Sequence, residues 1–77
     1  MPQNGLTIRV ADFLTVIEME GIRVDDSYVL AKSIVDKLEK AGIITSGDLR
    51  LNRGSLEKIP FTHREHQLVA AATEYWK

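Results

Sequence analysis

Between Leu38 and Trp76 the chain alternates apolar runs with helix stop and start signals every few residues, and this punctuation restricts it to short helices packed together. Leu38-Glu39-Lys40-Ala41 runs into Gly42, a residue enriched just past helix ends because it takes a left-handed backbone at no steric cost. Thr45-Ser46-Gly47-Asp48 has the composition of a cap opening a short helix through Leu51, and Asn52-Arg53-Gly54-Ser55 that of a turn. Ser55 is positioned to cap a further single turn carrying Leu56 and Ile59, which Pro60 stops. Thr62-His63-Arg64-Glu65 matches the capping box that opens a last helix running to about Tyr75.

The first half predicts two longer helices. Val10, Phe13, Leu14 and Ile17 form one stripe of a helix capped by Thr7 and ended by Gly21, although β-branched residues leave a strand over Leu6–Val10 open. Asp25, Asp26 and Ser27 supply a cap and negative charge for a second helix. Leu30, Ile34, Leu38 and Ala41 form its apolar face, widened by Tyr28, Ala31 and Val35. So wide a face implies a central helix, with Ile43 folding back on Leu38 beyond Gly42. On the last helix Leu68, Ala71, Ala72 and Tyr75 share a face that Val69 and Trp76 broaden. Tyr75 is expected on the core and Trp76 over an edge.

These elements amount to one all-α domain over 1–77, about five helices behind a loose lead-in at 1–6. With 77 residues and no cysteine, stability has to come from apolar packing and well-made helix ends. The 44% hydrophobic content is that of a globular domain. No apolar run approaches the roughly 18 residues that span a bilayer. The amino terminus lacks the layout of a signal peptide. The expected location is cytoplasmic, or nuclear in a eukaryote. A net charge of −1 provides no global field for nucleic acid or anionic lipid.

Gly42-Ile43, Leu51, Leu56, Ile59, Phe61-Thr62 and His63-Arg64 resemble the carboxy-terminal half of a sterile alpha motif (SAM) domain. Val10, Phe13-Leu14 and Met19 look like that family's opening helix, with more residues between Met19 and Ile34 than its pattern has. The resemblance implies a five-helix bundle that binds protein partners or itself. Leu38 to Thr45 with Leu56-Glu57-Lys58-Ile59 is also similar to helix-hairpin-helix domains of DNA repair. Pro60-Phe61-Thr62 stands where that family has a glycine hairpin for phosphate, so the similarity carries the fold and not the DNA contact. Ser33 to Ile44 looks like the recognition helix of a winged-helix regulator. In that alternative Ile43–Thr45 and Leu56–Phe61 are the strands of a wing joined by Asp48–Gly54. Asp25-Asp26 at the start of the helix would be repelled by DNA phosphate.

No catalytic constellation is evident. Ser27, Ser46 and Ser55 sit where caps belong and Ser33 lies mid-helix, none in a Ser-His-Asp context. His63 and His66 are one turn apart, short of the three or four ligands that zinc takes, so neither metal nor cofactor is expected. No small-molecule substrate is evident. Arg50, Arg53, Lys58, His63 and Arg64 form the most basic region, interrupted by Glu57 and Glu65. Glu18, Glu20, Asp25 and Asp26 form an acidic counterpart. Opposite patches on one small domain permit head-to-tail self-association, which gives open polymers if the rotation does not close.

The function expected is therefore a non-enzymatic protein–protein interaction module, self-associating through these surfaces. The alternatives are a small winged-helix or helix-hairpin-helix DNA-binding protein, and a viral or mobile-element accessory protein that blocks a host partner. Strands across Ile43–Phe61 would favour the winged helix, and helices there the interaction module.

Overall fold

The computed structural model describes residues 8–23 and 25–76. They form five helices: α1 (Val10–Glu20), α2 (Ser27–Lys40), α3 (Ser46–Leu51), α4 (Arg53–Lys58) and α5 (His63–Tyr75). No strand occurs among the described residues, and α3 and α4 occupy the segment a winged helix would use for its wing. No described helix is long and apolar enough to cross a membrane. The expected lead-in over 1–6 and the Thr7 cap lie outside the described residues.

The helix ends follow from local chemistry. Gly21 and Gly42 are left-handed, at φ 68° and 80°. Each is followed by an isoleucine whose N–H reaches back to a buried turn: Ile22 to the Ile17 carbonyl at 3.2 Å, Ile43 to the Leu38 carbonyl at 2.9 Å. The glycine N–H groups bond to Glu18 and Glu39. This is the Schellman ending, used twice, with Ile43 and Leu38 both buried as its apolar contact requires. Asp26 caps α2 through the Val29 N–H at 3.3 Å, and Thr45 caps α3 through the Asp48 N–H at 3.1 Å. On α5 the Thr62 hydroxyl accepts from the Glu65 N–H while the Glu65 carboxylate accepts from the Thr62 N–H, the reciprocal box. Ser27 and Ser46 are thus first helical residues, not caps.

Two expected boundaries are corrected. α1 begins at Val10, not near Thr7, because Arg9 is extended, at φ −130° and ψ 159°, and the Ile8 N–H before it is bonded to the Ile44 carbonyl at 2.8 Å. That tertiary bond holds the chain out of the helix, and the first turn is closed by the Asp12 carboxylate on the Arg9 N–H at 3.0 Å. α4 begins at Arg53, so Asn52–Ser55 is not a separate turn and Ser55 caps nothing. Asn52 joins α3 to α4, its side-chain amide donating to the Asp48 carbonyl at 3.0 Å.

The core gathers Phe13, Val16 and Ile17 from α1, Ala31, Ile34, Val35 and Leu38 from α2, Leu49 from α3, Leu56 from α4, and Leu68, Val69 and Ala72 from α5, with Ile8, Ile43 and Ile59 from the connections. Val10 and Leu14, expected at the centre of the α1 stripe, are only partly buried, and Val16 lies inside instead. Tyr28 on α2 and Ala41 just past its end are exposed and not part of its buried face. The central helix is α5, which packs against α1, α2 and α3; α2 meets α1 and α5 only.

The carboxy-terminal aromatics exchange their expected places. Trp76 packs edge-on against Phe13, ring centroids 5.3 Å apart, while Tyr75 is exposed and donates its hydroxyl to the Glu20 carboxylate at 2.8 Å. Adjacent helix positions differ by about 100°, so only one of the two can face α1's buried side.

Candidate functional site

The polar groups of this fold divide into one buried cluster and a partly charged surface. Glu65 is 3% exposed. Its carboxylate accepts from the Lys37 ammonium at 2.6 Å, the Ser33 hydroxyl at 2.7 Å and the Thr62 N–H at 2.8 Å. Lys37 also donates to the Pro60 carbonyl at 3.1 Å and stands 5.8 Å from the Phe61 ring centroid. Burial pushes the Glu65 carboxyl up. Hydrogen bonds from Lys37, Thr62 and Ser33, together with the Lys37 charge, outweigh it and hold the carboxyl below its ordinary value. The cluster fastens the α2 face to the start of α5. Glu65 therefore does not interrupt the basic surface, because its charge is spent inside. Ser33 is committed to the same carboxylate.

The expected basic residues are all exposed. They come from three helices. Arg50 lies in the last turn of α3 and Arg53 opens α4; Lys58 closes α4, and His63 and Arg64 begin α5. None of the five forms an ion pair among the described residues. His66 is exposed, its ring meeting Phe61 edge-on at 5.5 Å. Among the described residues no group of three or more His, Cys, Asp or Glu side chains is placed to hold a metal ion.

The expected acidic residues are exposed as well. Glu18 and Glu20 end α1, and Asp25 and Asp26 precede α2, Asp26 serving also as its cap. The Tyr75–Glu20 hydrogen bond ties this end of α1 to the end of α5. The Glu20 carboxylate accepting that bond raises the Tyr75 hydroxyl above its ordinary value.

Acidic Glu20 thus stands beside the last turn of α5 and basic His63 and Arg64 at its first. At 1.5 Å per residue the two ends are about 17 Å apart. Beside the outward face of α5 run two open grooves. One, about 660 Å³, is lined by Glu20, Gln67, Ala71 and Tyr75; the other, about 420 Å³, by Arg53, Leu56, His66 and Thr73; Ala70 and Glu74 border both. Reasoning from the sequence missed this face. Its trace there is the spacing of His63, Gln67, Ala70 and Glu74, non-core residues along one helical row.

No protein-family profile, curated protein sequence or solved structure matches the chain.

Proposed function

We propose that this chain is a small non-enzymatic interaction module of SAM-like type, which binds protein and associates with itself through opposite charged surfaces. The cationic side is Arg50, Arg53, Lys58, His63 and Arg64, and the acidic side Glu18, Glu20, Asp25 and Asp26. One observation carries the reading. These side chains are exposed, and among the described residues no ion pair joins the two sets, although they lie on the same small domain. Exposed charges outside any ion pair among the described residues remain available to a complementary surface, where they set orientation and partner choice. Helices at α3 and α4, in place of a wing, favour this reading over a winged helix.

The test is the double variant Arg53→Glu with Arg64→Glu, read by analytical ultracentrifugation beside circular dichroism. The expected result is loss of association with the helical signal unchanged; intact association would refute the cationic surface. Titration against a mixed-sequence DNA duplex at low and physiological salt is the companion measurement. Binding that weakens steeply with salt would reveal phosphate contacts and replace this reading with a nucleic-acid one.

A further inference from the structure

We propose that the partner of the α5 face is a second copy of this chain, held antiparallel about a twofold axis that crosses α5 near Ala70. The proposal rests on the self-association reading above and assigns its geometry. A small exposed residue at the middle of the outward row lets another helix approach closely, toward the short end of the 8–10 Å range of interaxial distances. The open grooves on both sides of Ala70 leave room for the ridges of that helix.

Charge decides the direction. A parallel pairing would place Arg64 against Arg64 and Glu20 against Glu20. The antiparallel pairing carries Arg64, about 9 Å before Ala70 along the axis, to the level of the partner's Tyr75, about 7.5 Å beyond it. The partner's Glu20 is hydrogen-bonded to that tyrosine.

The side is decided too. By helical rotation Arg64, Ala71 and Tyr75 flank the outward row on the α1 side, and His66 and Thr73 on the α4 side. A twofold axis lying in the interface plane preserves that side, so each Arg64 arrives over the groove that contains the partner's Glu20. The contact occurs twice and closes the pair, as an isologous interface requires. A standard interface takes about 800 Å² from each partner, about 15% of this chain's 5255 Å² surface. The contact therefore extends from the Ala70 ridge into both grooves.

The chain has no cysteine, which gives a direct test. Facing Cα atoms at a dyad between close-packed helices fall at about 4–6 Å, within disulfide range. Ala70→Cys is expected to form a covalent dimer under mild oxidation, and Lys32→Cys, on exposed α2, is expected not to. In sedimentation velocity the unmodified chain should reach two copies and stop. Arg64→Glu and Glu20→Arg should each weaken the dimer tenfold or more with helicity unchanged. Mixed one to one, those two variants should restore it, because both contacts are then again between opposite charges.

Species longer than two copies, or a dimer indifferent to both charge reversals with no link through position 70, would overturn this geometry while leaving self-association standing. A monomer up to about millimolar concentration, where even weak association shows, would overturn both.

Discussion

Replacing Glu65 with glutamine tests whether the buried cluster between α2 and α5 holds the fold together. The substitution keeps the shape of a residue that is 3% exposed and removes the charge on which Lys37, Ser33 and Thr62 converge. Removing one partner of a buried ion pair costs about 3–5 kcal/mol, because the charge left behind is buried and uncompensated. Here the charge left is Lys37, whose side chain keeps 27% of its exposure and recovers part of its hydration. The Ser33 hydroxyl can also turn to suit an amide. Both facts bring the expected loss down to about 2–3 kcal/mol. A 77-residue domain has about 4–12 kcal/mol in all, so the variant should fold but melt about 8–24 °C lower.

Urea unfolding followed by circular dichroism measures this directly, with an unchanged denaturant slope as the sign that only stability moved. The dependence on pH is a second readout. The folded-state carboxyl is held below its ordinary value of about 4.5, so its contribution is complete above that value and fades as pH falls through the lower, folded one. Glu65→Gln should lose that portion of the acid sensitivity. A loss under about 1 kcal/mol at neutral pH, or an acid limb identical to that of the parent, would refute the reasoning.

Further outcomes are expected elsewhere. Gly42→Ala should cost about 1 kcal/mol, because the residue sits at φ 80° although no atom lies near the added Cβ. Gly54→Ala, inside α4 with equally open space, should stabilise by about 0.5–1 kcal/mol, and equal effects in thermal melts would defeat the assignment of both backbones. Tyr75, raised by its hydrogen bond to Glu20, should ionise at higher pH than free tyrosine in an ultraviolet titration; Glu20→Gln should bring it back, and an unchanged curve would mean the bond does not persist in solution.

What could be read before folding, and what could not, divides by distance along the chain. The endings at Gly21 and Gly42, the caps at Asp26 and Thr45, and the Thr62–Glu65 box use partners within five residues, so the residues alone determine them. The all-helical class and most of the core follow, since the stop signals set the helices and the apolar rows their buried faces. Where a distant partner intervenes, the local reading fails. Ile8 is drawn to the Ile44 carbonyl and shortens α1. Glu65 is legible as the last member of a capping box, but its second set of partners, Ser33 and Lys37, lies across the fold. Between Tyr75 and Trp76 the choice of core residue depends on where Phe13 comes to rest. The charged surfaces obey the same rule: their members were visible as residue types, but the packing of α1 on α5 brings Glu20 to Tyr75. Helix ends are decided by bonds a few residues long, whereas burial, charge pairing and the faces left to solvent are decided by which helices meet.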